Sequence, residues 1–271
     1  ELSAVADAHR EGERIVFFDS PSQHALVGQL GESRSVYLAI DDRTVTVAGE
    51  NIPGEKNAER RLLAKVDQVI CVSAPLAEAL RARVPERPDL PINIVTNGYD
   101  EELFATGVVH PEPARLTNVP SPRILVAGHV SDRIDWDGIA AFAALRPDVA
   151  WVFIGPADLG IKARIADIAM RTGSTMCVLP PVSHSEVPAF VAHSDVCAAP
   201  YRLNEFTRAS SPLKVIEYLG AAAPVVSTRV PSLDSFGNVV HWVDEGDGRS
   251  YRAAVEAALL EGGLRTQRYP V

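Results

Sequence analysis

One short stretch carries residue types at a spacing suited to holding an anionic ligand that also bears hydroxyls. It runs Ser211-Pro-Leu-Lys-Val-Ile-Glu217 and leads into the apolar run Pro224-Val-Val-Ser-Thr228. Ser211 suits a helix N-cap and Pro212 the first helical position, where a missing N–H costs nothing. The amides that open such a helix have no partner within it, so the segment 211–213 offers donors to a ligand. Lys214 falls in the first turn, where the helix dipole disfavours a cation unless an anion is bound there, and that misfit favours a phosphate. Glu217 lies three residues on and shares the face of Lys214. The spacing permits a surface ion pair in the less favourable Lys-before-Glu order. It equally permits a carboxylate that accepts hydrogen bonds from paired hydroxyls, as an acidic residue does for ribose in dinucleotide folds.

Elements that could position these residues follow from hydropathy. Apolar runs rich in Val and Ile alternate with amphipathic stretches, which is the pattern of βα units building a parallel sheet covered on both faces. Strands are expected at 14–19, 35–41, 68–73 and 92–96, with helices at 55–66 and 74–83 and a surface loop at 42–54. A helical pattern also opens the chain at Leu2, Val5, Ala6 and His9. Prolines 111, 113, 120 and 122 then punctuate a segment without periodicity, a linker that divides residues 1–108 from 109–271. Beyond it strands are expected at 123–129, 149–156, 174–180, 195–201, 224–228 and 239–244. Helices are expected at 135–145, 161–172, 185–193, 212–222 and 250–261. The second part reads as a complete doubly wound α/β domain and the first as a partial one. Ligands of such sheets bind at the carboxyl ends of the strands, and a cleft between two such domains is the expected site.

The 271 residues suffice for two modest domains, and 46% hydrophobic with 23% charged residues is ordinary for a folded chain. A net charge of −9 disfavours a nucleic-acid partner or a general anionic surface, so any anionic ligand must be met locally. No apolar run approaches the roughly 20 residues of a membrane span, and the polar start, Glu1 to Glu13, is not a signal peptide. Cys71, Cys177 and Cys197 sit far apart in apolar runs, which reads as reduced core thiols in a cytoplasmic protein. Because the chain opens on Glu1 without methionine and stops at Val271 with no closing element, it reads as part of a longer protein.

The run from Ser211 to Thr228 resembles the nucleotide-binding helix and following strand of GT-B glycosyltransferases, similar to glycosyltransferase family 4 enzymes of bacterial surface polysaccharide synthesis. Three further segments share the likeness, which spans nearly the whole chain. These are Glu59 through Val66-Asp-Gln-Val-Ile-Cys-Val-Ser73, the Asn97-Gly98-Tyr-Asp100 turn, and Gly128-His-Val-Ser-Asp-Arg133-Ile-Asp135 with Leu145 to Gly155. The resemblance implies two Rossmann-like domains facing a cleft, the N-terminal one incomplete. It also implies a sugar moved from a nucleotide-diphosphate donor to a glycan or lipid-linked acceptor. A lipid-linked acceptor would bring the protein to the inner face of the plasma membrane. Glu217 would bind the ribose hydroxyls. The diphosphate would rest on amides from Ser211 to Leu213 beside Gly128, with Arg133 and Lys214 neutralising its charge in place of a metal. No cofactor beyond the donor is implied.

Departures from the family pattern matter as much. Where the family often carries a second glutamate contacting the donor sugar this chain has Ala209, with Glu205 nearby as a substitute. Where many members place a histidine after the second strand it has Asp41-Asp42, either of which would serve as a base toward an acceptor hydroxyl or as a solvated loop carboxylate. Asp135-Trp-Asp137 spells a motif of metal-dependent transferases but is expected to cap the helix that follows. His24 and His129 follow strands and are placed to face a cleft, whereas His193 and His241 read as packed or surface residues. A sugar epimerase of the same architecture and a non-catalytic nucleotide-sugar-binding subunit are the alternative readings.

Overall fold

A computed structural model describes residues 13–104 and 108–268. In chain order the strands are β1 Ile15–Phe18, β2 Arg34–Ala39, β3 Gln68–Cys71, β4 Ile92–Ile94, β5 Arg123–Ala127, β6 Ala150–Ile154, β7 Met176–Leu179, β8 Val196–Ala199, β9 Val225–Thr228 and β10 Val240–Val243. The helices are α1 Glu55–Leu63, α2 Ala74–Arg83, α3 Trp136–Leu145, α4 Leu159–Thr172, α5 Val187–Ala192, α6 Glu205–Ala209, α7 Leu213–Gly220 and α8 Gly248–Arg268. The pattern expected at Leu2, Val5, Ala6 and His9 lies outside the described residues. Among the described residues no helix is long and apolar enough to cross a membrane.

Two compact units result: Glu1–Asn97 with Asn204–Ser211, and Gly98–Leu203 with Pro212–Val271. The division thus falls at Asn97/Gly98, upstream of the proline-rich linker, and α6 belongs with the first unit. That unit holds a parallel sheet in the order β1-β2-β3-β4, whose crossovers run through the short turn Pro21–Ala25, α1 and α2 in succession. Tyr37, Leu62, Val69, Leu76 and Leu80 fill its core.

The second unit carries a six-stranded parallel sheet in the order β10-β9-β8-β5-β6-β7. Chain order runs outward in both directions from β5, so a topological switch point lies between β5 and β8, where ligands of such sheets bind. The inner strands are buried on both faces: every residue of β6 is buried, which is why the sequence shows a continuous apolar run instead of alternation. One face packs Trp151, Phe153, Phe142 and Tyr251, and the other Val152, Val215 and Tyr218.

Strands end where the expected runs meet a backbone that cannot continue them. Gly155, at φ 139°, closes β6. Helix α7 stops short of the expected residue 222 because Ala222 takes φ 52°, in the left-handed region. Pro212, not Ser211, is the N-cap residue of α7, and no side chain caps that end. Asp135 caps α3 as expected, accepting from the Gly138 amide at 3.0 Å, and it also accepts from the Gly246 amide at 2.8 Å and the Tyr251 hydroxyl at 2.9 Å. The three cysteines are free thiols.

Candidate functional site

At the carboxyl ends of β5, β6 and β8 two cations are brought together. The ladder between β5 and β6 runs one step past the strands, with the Gly128 amide donating to the Ile154 carbonyl at 2.8 Å. A β-carbon at Gly155 would lie 2.0 Å from the Gly128 carbonyl oxygen, so only glycine fits there. Tyr218, fully buried on α7, accepts the Ala127 amide on its hydroxyl at 2.9 Å and fixes that helix against the end of β5. Lys214 is one turn earlier on the same face. Its ammonium therefore arrives over Gly128, where a β-carbon would lie 3.2 Å from Nζ.

Arg133 reaches the same place from the loop after β5. That loop is tied to the exit of β8 by the Asp135 amide donating to the Pro200 carbonyl and the Arg202 amide to the Arg133 carbonyl, each at 2.8 Å. The Arg133 guanidinium lies 4.9 Å from the Tyr201 ring centroid and the Lys214 ammonium 5.6 Å from it. Two cations thus gather at one aromatic ring. Among the described residues neither forms a salt bridge, and the buried Arg133 Nε and Ser131 Oγ meet no hydrogen-bond partner. Burial pushes the Lys214 ammonium down to about 7. Repulsion from Arg133 acts in the same direction and attraction from Glu217 opposes it. A pair of half-buried cations with unused donors is arranged to receive an anion, and the first amides of α7 add to it.

Glu217 is 8% exposed and does not pair with Lys214. Its Oε1 accepts from His184 Nε2 at 2.7 Å. A short turn, His184–Glu186, places this histidine after β7, and Ser183 and Glu186 close it as a capping box.

Other expected site residues lie in the first unit or meet other partners. Asp42 is not a solvated carboxylate: it is 1% exposed, paired with Arg83 at 2.5 Å and bonded by the Thr44 hydroxyl at 2.7 Å. Burial alone would raise its pKa, but the hydrogen bonds from Arg83 and Thr44 outweigh that and hold it below the usual range, so it is a poor base. Arg83 also pairs with the buried Glu59 at 2.5 Å, which in turn accepts from the Tyr37 hydroxyl at 2.8 Å. The neighbouring Asp41 is half-buried. Glu205 is engaged with Lys56 at 3.6 Å and stands 4.0 Å from Arg83, within the first unit. The Ser211 carbonyl accepts from Asn97 Nδ2 at 2.7 Å. His24 contacts the Pro21 carbonyl at 3.2 Å, His193 the His110 carbonyl at 2.8 Å, and His241 pairs with Glu261 at 2.7 Å; His129 is exposed. His184, Tyr201 and Ser131 were not singled out by the sequence. For His184 the available signal was the Ser183-x-x-Glu186 capping box.

A family profile described as Glycosyl transferases group 1 matches residues 121–260. Over 98% of its length the chain is 25% identical to a protein of Bacillus subtilis (strain 168) bearing the name teichuronic acid biosynthesis glycosyltransferase TuaH, and it covers 69% of that protein. Among solved structures it resembles sucrose-phosphate synthase from Thermosynechococcus elongatus, with a TM-score of 0.73 and 16% identity over 97% of this chain and 68% of that one. It also resembles an α,α-trehalose-phosphate synthase (UDP-forming) from Burkholderia vietnamiensis, with a TM-score of 0.72 and 14% identity over 95% of this chain and 66% of that one. The fold is that of GT-B glycosyltransferases, and nothing in these likenesses favours an epimerase.

Proposed function

The chain belongs to the glycosyl transferases group 1 family, and from that premise we propose that it transfers a sugar from a nucleoside-diphosphate donor seated on its second unit. The observation that carries this reading is the convergence of Arg133 and Lys214, two cations without a carboxylate partner, on the Tyr201 ring, with Lys214 over Gly128. The diphosphate lies against these two side chains and the Leu213 amide, and the buried Glu217 meets the ribose hydroxyls. As the bond to the sugar breaks, charge develops on the departing diphosphate, and preorganised cations in a partly dehydrated site stabilise it without a metal or further cofactor. Gly128 and Gly155 keep the backbone low enough for the phosphates to reach both cations. Ser211 borders the helix start through its backbone, and Pro212 leaves that end open to a ligand.

The acceptor is a glycan or a lipid-linked precursor, in keeping with the teichuronic acid biosynthesis named for the Bacillus relative. A lipid-linked acceptor would place the reaction at the cytoplasmic face of the plasma membrane. Thermal-shift titration with UDP, GDP, dTDP and ADP, with and without EDTA, tests the donor reading. A ligand at 100 times its dissociation constant stabilises a fold by about 2.7 kcal/mol, enough for a clear shift. One nucleoside diphosphate should stabilise the wild type equally with and without chelator and fail to stabilise Arg133→Ala. No shift with any of them would overturn the reading, and a shift abolished by EDTA would overturn its metal-independent form.

A further inference from the structure

Glu217 is the buried partner of an exposed one: its side chain is 10% accessible, that of His184 57%. An ionised carboxylate can only accept, so at 2.7 Å the proton lies on His184 Nε2 and the histidine donates to Oε1. Among the described residues nothing donates to Oε2. The carboxylate is therefore held at one oxygen and open at the other. The histidine is itself held. Ser183 donates to Glu186 Oε2 through its amide at 2.9 Å and its hydroxyl at 2.7 Å, which rigidifies the turn. The buried Phe104 packs on the imidazole, ring centroids 5.6 Å apart at 53°.

The alternative for Glu217 is close at hand. Lys214 precedes it by three residues on the same helix, within reach of an ion pair. Such a pair would consume the cation needed for the diphosphate and turn the carboxylate away from a ribose. We infer that His184 is a positioning residue for the donor: it fixes Glu217 so that Oε2 faces a ribose hydroxyl and Lys214 stays unpaired. This rests on the reading of Glu217 as the ribose contact.

The test compares binding of UDP, GDP and ADP with that of their 2′,3′-dideoxy counterparts, by calorimetry, for whichever base the wild type binds best. The preference for the ribonucleotide should fall about tenfold in His184→Ala, the size of one well-oriented hydrogen bond to a charged group. His184→Gln, which keeps a donor near Nε2, should restore most of it; a merely structural loss would not be rescued this way. An unchanged preference in His184→Ala, or tighter ribonucleotide binding there, would overturn the inference while leaving the ribose contact in place. If instead Glu217→Ala retains the full preference, the ribose reading itself fails and the role of His184 fails with it. His184 is exposed, so neither variant endangers folding.

Discussion

Lys214 is the residue on which the electrostatics of the site turn. Its ammonium is pushed down to about 7 by burial and by Arg133, well below an ordinary lysine. The unfolded chain keeps that proton up to the ordinary lysine range, so between about 7 and 10 it binds more protons than the folded chain, and the ligand-free protein gains stability from this group as pH rises through that window. Diphosphate binding has the opposite sign, because the anion favours the charged amine. Affinity should be greatest near pH 7, where the terminal phosphate (second pKa about 6) is already ionised, and weaken as pH climbs above it. Calorimetric titration between about pH 7 and 9 should show that slope in the wild type and lose it in Lys214→Ala, with affinity reduced roughly ten- to a hundredfold near pH 7. A wild-type affinity flat across the window would mean the amine does not meet the anion. The lysine and Glu217 were visible in the sequence because both lie on a periodic helix whose start is marked by Pro212. Asp42 was legible only as an acidic residue after a strand, since its partner Arg83 is 41 positions away and no local pattern couples the two.

At the scale of elements, the strands were legible because a sheet covered on both faces demands unbroken apolar runs. Their ends were less so, being decided by single residues such as Gly155 at φ 139°. The turn after β7 was hidden for a different reason: it is too short for periodicity, and what gives His184 its significance is a contact 33 positions away with Glu217. Asp135-Trp-Asp137 is the case where local and tertiary roles agree. Asp135 is 2% exposed and receives three donors, the Gly138 and Gly246 amides and the Tyr251 hydroxyl. Replacing it with alanine removes the cap of α3 and leaves buried donors unpaired, a loss of about 2–4 kcal/mol by denaturant unfolding. Asp137 is exposed in the first turn of α3, and Asp137→Ala should stay within about 0.5 kcal/mol of the wild type with turnover unchanged. A collapse of turnover in Asp137→Ala, with stability intact, would instead assign the motif a part in the chemistry.

For the molecule as a whole, the charge balance and the site pull in opposite directions. A net charge of −9 repels a nucleoside diphosphate at long range, whereas Arg133 and Lys214 attract it only at contact, half-buried over the Tyr201 ring. Salt screens the first effect more than the second, because the Debye length falls from about 14 Å near 0.05 M to about 4 Å near 0.5 M while the contact pairs lie partly out of solvent. Stopped-flow association of the preferred nucleoside diphosphate should therefore hold steady or quicken as salt rises over that range. A basic field steering the ligand from a distance would slow it steeply instead. That outcome would place the anion on a broad surface not built by these two residues, and the geometry at the Tyr201 ring would then no longer account for donor capture. A steady rate together with loss of binding in Arg133→Ala would tie the capture of an anion by an acidic protein to two side chains, one from the loop after β5 and one from the first turn of α7.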